Sequence, residues 1–281
     1  MTTIDAIIVG AVQGLTEFLP VSSSGHLVIT RYFYGVHDLT LSYSIMLHGG
    51  TLLAVIAALW REILDCIKLV LSGSRAGMTI VLALIVATIP GALFGYFFAA
   101  KLDTIFVEDG LLWRGVQLEP YKFVGAAMLV TAQGFLHRAN EVLRHRGDII
   151  ERGPWYAAIT LRHALWIGLA QAVAVVPGIS RSGATLATGI LTGLSRATAA
   201  RFSFLMAIPI ILGAVAHDLI THRVELMYES GADLQVKLLG VAVAAVTGFI
   251  AVRFMLRWLR THDLHDFVVY LWIIGLICIA S

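Results

Sequence analysis

The sequence predicts an all-α polytopic membrane protein: six transmembrane helices plus two re-entrant helical hairpins, arranged as an inverted-topology repeat. Three observations carry that expectation: composition, the recurrence of long apolar stretches, and self-similarity at a fixed offset. Of 281 residues, 58% are hydrophobic and only 14% charged, with a mean hydropathy of +0.85. Soluble domains carry about 45–50% apolar and about 25% charged residues, so a soluble globular domain, a disordered chain and a fibrous repeat are excluded. A dispersed net charge of +2 gives no basis for a nucleic-acid partner. Cys66 and Cys278 lie far apart and spell out neither a disulfide framework nor a zinc cluster.

Crossing a hydrocarbon core of about 30 Å takes about 20 apolar residues in a helix. Ile4–Val21 is apolar but carries Asp5, Gln13, Glu17 and Pro20, then runs into Ser22-Ser23-Ser24-Gly25-His26. It is expected to form a re-entrant hairpin, because a broken helix at membrane depth is tolerated where it is buried in protein or lines a cavity. It lacks a basic leader region and a small-residue cleavage site, so no signal peptide is expected. Tyr43–Trp60, Met78–Ala100 and Tyr121–His137 qualify as spans, and Asp103 to Pro120, with Glu108, Asp109 and Glu119, is an acidic exterior loop. Ala164–Val176 is a half-span framed by Arg162-His163 and Pro177-Gly178-Ile179-Ser180-Arg181-Ser182-Gly183, a second hairpin. Phe202–Ile220, Lys237–Leu256 and Phe267–Ala280 complete the six spans.

Sliding the chain by 158 residues pairs Gly10 with Gly168, Gln13 with Gln171, Ser22 with Ser180, Ser24 with Ser182 and Gly25 with Gly183. These matches fall on Gln, Ser and Gly, which chance similarity between apolar stretches does not favour. One hairpin plus three spans is the unit, about 4–137 and 156–281 within a single membrane domain. Three spans between the copies make them enter from opposite sides, with the site where the breaks meet. One set of connections holds Arg61, Lys68, Arg75, Arg138, Arg144, Arg146, Arg152, Arg253, Arg257 and Arg260; the other holds only Arg31, Lys101, Arg114, Lys122, Arg223 and Lys237. The first set is cytoplasmic by the positive-inside rule, which puts both termini on the far side.

Gln13 and Glu17 are four apart and share a helix face. Beyond Pro20, Ser22, Ser23 and Ser24 cross into a new helix near His26, whose free N–H groups make an anion site. The second break supplies Arg181 between Ser180 and Ser182. Acid, hydroxyl and imidazole from one hairpin and a guanidinium from the other suit an anionic headgroup, phosphate above all, since Arg matches its oxygens bidentately. The plainer alternatives are an ion pair of Glu17 with Arg181 that only joins the hairpins, serines that only cap helices, and a packed core His26. Arg201 is either a ligand contact or an interfacial snorkelling side chain. His48, beside Gly49-Gly50, is expected to fill a tight helix crossing, with a role near the site as the alternative, and His262-Asp263 with His265-Asp266 to be a solvated connection.

Gln13-Gly14-Leu15-Thr16-Glu17-Phe18-Leu19-Pro20-Val21-Ser22-Ser23-Ser24-Gly25-His26 resembles the first signature of the bacterial undecaprenyl-diphosphate phosphatases, the bacitracin-resistance protein family. Pro177-Gly178-Ile179-Ser180-Arg181-Ser182-Gly183-Ala184-Thr185 resembles the second, and Arg201-Phe202-Ser203-Phe204-Leu205 a third, weaker one. The resemblance covers essentially the whole chain. It implies hydrolysis of undecaprenyl diphosphate to the monophosphate carrier and inorganic phosphate, recycling lipid carrier for peptidoglycan and conferring bacitracin resistance. It also implies a bacterial inner-membrane protein, a homodimer with its site open to the periplasm, and a divalent cation (Mg2+ or Ca2+), with Glu17 a candidate ligand. By position, Glu17 belongs to the essential acidic motif with Gln13 as partner, Ser23 and His26 to the competing nucleophiles, and Arg181 and Arg201 to the diphosphate-binding arginines. Many members have Glu where this chain has Gln13, which weakens any mechanism in which two carboxylates hold the metal.

The expected chemistry is attack on the terminal phosphorus by Ser23, polarised by Glu17 or His26, with the alternatives that His26 itself attacks or acts as acid for the leaving group. Arg181, Arg201, helix-start N–H groups and a metal neutralise the phosphoryl oxygens. The rival class is a polyprenyl-phosphate transporter or flippase, because inverted repeats with broken helices are a transporter architecture.

Overall fold

A computed structural model of the chain describes residues 1–36, 41–108, 111–113, 116–149, 153–221 and 231–281. Asp109, Arg114, Arg152 and Arg223 lie outside that description. The first broken helix is α1 (Thr3–Phe18) followed by α2 (Ser23–Tyr34). Then come α3 (Leu41–Ala58), α4 (Trp60–Leu71) and α5 (Arg75–Asp103). α6 (Pro120–Val130) widens into a π-helical turn over Thr131–His137 and runs on into α7 (Arg138–Arg146). The second broken helix is α8 (Leu161–Val173) and α9 (Arg181–Thr192), followed by α10 (Arg196–Thr221), α11 (Gly231–Trp258) and α12 (His265–Ala280).

Local chemistry explains the helix starts. Thr2 Oγ1 accepts from Asp5 N at 3.2 Å while Asp5 Oδ2 accepts from Thr2 N at 2.8 Å, a reciprocal cap that satisfies two orphan donors. Thr160 and His163 repeat it at the start of α8, with bonds of 3.2 and 3.3 Å. Pro120 opens α6, where its missing N–H costs nothing.

Two elements depart from the sequence-based expectation. The first span stops at Ala58, where Leu59 leaves helical geometry, and an amphipathic helix, α4, with no buried residue replaces the expected connection. The acidic segment before α6 contains a short antiparallel ladder, β1 (Leu111–Trp113) against β2 (Val116–Leu118). Among the described residues, three helices are long and apolar enough to cross a membrane, over Arg75–Phe106, Arg196–His217 and Asp233–Trp258; Tyr43–Ala58 and His265–Ala280 are apolar but shorter. Large apolar side chains stand exposed along them, among them Leu53, Phe97, Ile250 and Ile277. A surface that apolar belongs in lipid, and the chain is a helical membrane protein.

The packing is reciprocal. α1 lies along α11, α8 lies along α5, α3 meets α10, and α6 meets α12. Small residues set the first two of these crossings. A Cβ on Gly10 would fall 2.3 Å from the Gly240 carbonyl oxygen, and one on Gly168 would fall 2.6 Å from that of Ala87. Backbone cannot yield to a methyl group as a flexible side chain does. Gly10→Ala is therefore expected to destabilise the protein by about 1–3 kcal/mol, seen as a lower Tm in detergent. Gly95→Ala on α5, where nothing lies within 4 Å, is expected to leave the Tm unchanged or raised; equal effects would refute this account of the crossing.

Candidate active site

The centre is assembled from two chain breaks and one uninterrupted helix. Leu19 is extended and Pro20 follows it, so α1 stops. Ser22 takes φ 71° and ψ 92°, the only non-glycine with positive φ among the described residues. Such a conformation costs about 1–3 kcal/mol unless the surroundings hold it. Here they do: Ser22 Oγ accepts from Gly25 N at 3.2 Å, and its carbonyl accepts from His26 N at 3.1 Å. The second break turns at Gly178, φ 89°, where a Cβ would meet the Val124 backbone at 2.9 Å. Ser180 Oγ accepts from Gly183 N at 3.0 Å, and Ser180 N donates to Thr131 Oγ1 at 3.0 Å, on the π-helical turn.

Two bonds stitch the breaks together. Gly178 N donates to Ser24 Oγ at 3.3 Å, and Ser182 Oγ donates to the Leu19 carbonyl at 2.8 Å. The N-termini of α2 and α9 are thereby brought side by side, and two positive dipole ends favour an anion. Within each pair of cap serines the hydroxyls are close: Ser22 to Ser24 at 3.4 Å and Ser180 to Ser182 at 3.2 Å.

Glu17, 6% exposed, is the hub. Its Oε2 accepts from Ser23 Oγ at 2.6 Å and from Gln13 Nε2 at 2.9 Å. Its Oε1 accepts from Arg181 Nη2. His48 Nε2 lies 3.5 Å from Oε2. Among the described residues, two buried polar atoms in this cluster have no hydrogen-bond partner, Arg181 Nη1 and Gln13 Oε1. An unmatched guanidinium N–H beside two helix starts is a costly feature in a closed interior, and it is what a phosphoryl oxygen would satisfy.

The structure thus joins Gln13, Glu17, Ser23 and Arg181 in one network, with Ser22, Ser24, Ser180 and Ser182 as its frame. His26 and Arg201 are held elsewhere. His26 Nδ1 is 2.7 Å from the Ser22 carbonyl and Nε2 is 2.6 Å from the Tyr270 hydroxyl, with the two rings stacked. Arg201 Nε pairs with Glu62 Oε1 of α4 at 3.5 Å. The residue that sequence reasoning placed at a helix crossing is His48, which α3 carries to the hub. Apart from a ring nitrogen capable of serving a charge, nothing local in Leu47-His48-Gly49-Gly50 marks it. His262 and Asp263 bond within their own turn, to Thr261 and His265. Among the described residues no three His, Cys, Asp or Glu converge as a metal cluster.

Comparison with known proteins gives the family. The model of the family described as bacitracin resistance protein BacA matches residues 6–277. A protein of Moorella thermoacetica named undecaprenyl-diphosphatase is 41% identical over 92% of this chain and 90% of its own length. One of the same name from Desulforudis audaxviator is 38% identical over 100% and 98%, and one from Korarchaeum cryptofilum 34% identical over 98% of each. This chain belongs to the bacitracin resistance protein BacA family.

Proposed function

We infer that this chain is an undecaprenyl-diphosphate phosphatase, a membrane hydrolase that releases inorganic phosphate from a polyprenyl diphosphate to give the monophosphate carrier for cell-wall synthesis, and so confers bacitracin resistance. The observation that carries the mechanism is the Ser23–Glu17–Arg181 chain of contacts, with a buried Arg181 Nη1 left without a partner among the described residues. The terminal phosphoryl group lies between the two helix starts, with its oxygens on Arg181 and backbone N–H groups. Ser23 transfers its proton to Glu17 as its Oγ attacks phosphorus, and the bond to the polyprenyl phosphate breaks. Water then hydrolyses the phosphoserine, and the proton returns from Glu17 to Ser23. Ser23 is favoured over His26 because Ser23 already donates to the carboxylate, whereas both ring nitrogens of His26 are occupied.

The residues fit a divalent cation. Gln13 turns its Nε2 to Glu17 Oε2, and its Oε1 is a buried acceptor with no donor among the described residues, so turning the amide over would offer that oxygen to a cation beside the carboxylate; Mg2+ is commonly held by one or two carboxylates together with substrate phosphates. Glu17 and Gln13 would hold it. When bound, it would neutralise phosphoryl charge as a Lewis acid. Arg201 faces Glu62, so a direct role for it requires that ion pair to exchange.

The proposed topology is six spans and two re-entrant hairpins in inverted repeats, 4–137 and 156–281. The offset of 158 that aligns the serines also aligns the reciprocal caps at Thr2 and Thr160 and the close-approach glycines Gly10 and Gly168. The proposed setting is a homodimer in the bacterial inner membrane, with the basic connections cytoplasmic and the site opening to the periplasm. For the tail, apolar surface lies close at hand: Phe204 packs edge-on against Phe18, and the next residue, Leu205, lines a cavity of about 300 Å3 with Ile56, Cys66 and Pro209.

Purified protein in detergent is expected to release phosphate from undecaprenyl diphosphate, and acid quenching is expected to trap phosphate on Ser23. A pure transporter would release none, and label that survives an alkaline quench but not the acid one, as phosphohistidine does, would reverse the assignment of the nucleophile to His26.

A further inference from the structure

We propose that Tyr270 is a positioning residue of the reaction: its hydroxyl locks His26 in the tautomer that clamps the Ser22 carbonyl, and the clamp aims Ser23 at Glu17. The inference deepens the reading above and rests on it for the task of Ser23. Nothing in the family match or in the names of the relatives assigns Tyr270.

Helix packing brings the two rings together. α2 and α12 both lie on α6. A Cβ on Gly25 of α2, the residue before His26, would fall 2.5 Å from Met128 Cε and 2.8 Å from Val124 Cγ1 of α6. One on Gly275 of α12 would fall 2.8 Å from the Gly125 carbonyl oxygen of α6. Missing side chains at these crossings let both helices approach the same neighbour closely. The rings of His26 and Tyr270 then stack, 7° from parallel with centroids 5.7 Å apart.

The hydrogen bonds assign each atom its part. His26 Nδ1 lies 2.7 Å from the Ser22 carbonyl, and a carbonyl only accepts, so Nδ1 carries a hydrogen. In the neutral ring Nε2 is then an acceptor, and the Tyr270 hydroxyl at 2.6 Å is its donor. Tyr270 stands on α12 with the exposed apolar side chains Val269, Ile273 and Ile277. A hydroxyl left unpaired in apolar surroundings is costly, so the phenol keeps its bond to the ring.

The far end of this relay is the strained peptide. Ser22 sits at φ 71°, and its carbonyl accepts from His26 twice, from the backbone N at 3.1 Å and from Nδ1. A sparsely populated backbone conformation persists only where its surroundings over-determine it. Ser23 follows directly, and its Oγ donates to Glu17 Oε2 at 2.6 Å. In the other tautomer Nδ1 would turn a lone pair to the carbonyl and the clamp would open; a donor on Nε2 excludes that tautomer. Arg181 and the start of α9 lie outside the relay, which therefore governs the aim of Ser23 and not the hold on phosphate.

Tyr270→Phe keeps the stacked ring and removes only the hydroxyl. In the full-length protein in detergent, its kcat for phosphate release from undecaprenyl diphosphate is expected to fall about tenfold to a hundredfold, the effect of a small misplacement of a reacting group. KM is expected to change less than about threefold, and the Tm to match the wild type. NMR of the protein labelled with 15N-histidine reads the tautomer, which a merely structural tyrosine would not move. The chain holds 10 histidines, so the His26 signals are assigned by their loss in His26→Asn. In the wild type Nδ1 should carry the hydrogen and Nε2 none, and in Tyr270→Phe the ring should sample both forms. A wild-type ring with hydrogen on Nε2, an unchanged kcat in Tyr270→Phe, or a loss confined to KM would each overturn the proposal. The wild-type spectrum alone can overturn it if the variant fails to fold. The same assay separates the two readings: a wild type that releases no phosphate ends the phosphatase reading and this proposal with it, whereas release indifferent to Tyr270→Phe ends only the proposal.

Discussion

Glu17→Gln lowers phosphate release by about a thousandfold or more, equivalent to roughly 4 kcal/mol of transition-state stabilisation. The amide preserves shape but offers one acceptor oxygen in place of the two that Ser23 and Arg181 use, so one of those bonds is lost while the helices that frame the site keep their other contacts. What it loses is the ability to take the proton of Ser23 when Oγ attacks, and the anionic oxygen that orients that hydroxyl at 2.6 Å. Initial rates of phosphate release, with a thermal melt of the same preparation, provide the check. Turnover within tenfold of the wild type in a normally folded protein would remove Glu17 from the reaction.

Arg181→Ala is expected to lose about a thousandfold to a hundred-thousandfold in turnover, the range over which a transition-state arginine contributes to phosphoryl transfer. It also strips the Glu17 carboxylate of its cationic partner inside the protein, and breaking a buried pair costs about 3–5 kcal/mol. Arg181→Lys separates the two effects. Lysine restores a positive charge beside Glu17 but has no planar fork, so it cannot hold Glu17 through one nitrogen and a phosphoryl oxygen through the other. The expected result is a recovered melting temperature with turnover still depressed at least a hundredfold. Full recovery of turnover in the lysine variant would mean that charge alone matters and that the free Nη1 has no task.

Much of this centre was legible in the linear chain because its parts are local. Gln13 and Glu17 meet through helical periodicity, Ser22 and Ser180 cap the helices they precede, and Pro20 and Gly178 stop and turn the backbone where they stand. The pairing of Glu17 with Arg181 spans 164 residues, yet the internal repeat announced it by aligning the two serine clusters. His48 had no such pointer. A histidine between leucine and glycine in an apolar helix has no neighbour in sequence to show which side chain it will meet, and only the packing of α3 on α11 and α1 brings it to Glu17. Helix α4 escaped for a different reason: its apolar and charged residues alternate around one short helix, so an averaged hydropathy makes it look like a basic connection. Arg201 was placed by its motif, whereas its partner Glu62 belongs to that unforeseen helix.

The stitches from Ser24 to Gly178 and from Ser182 to Leu19 bear on biosynthesis. A nascent chain that has left the ribosome only as far as its third span has the acid and the hydroxyl but neither Arg181 nor the second helix start, so a product of that length lacks half of the grip on a phosphate. Two polypeptides divided between α7 and α8 and made in the same cell should regain activity together, while either fragment alone stays silent.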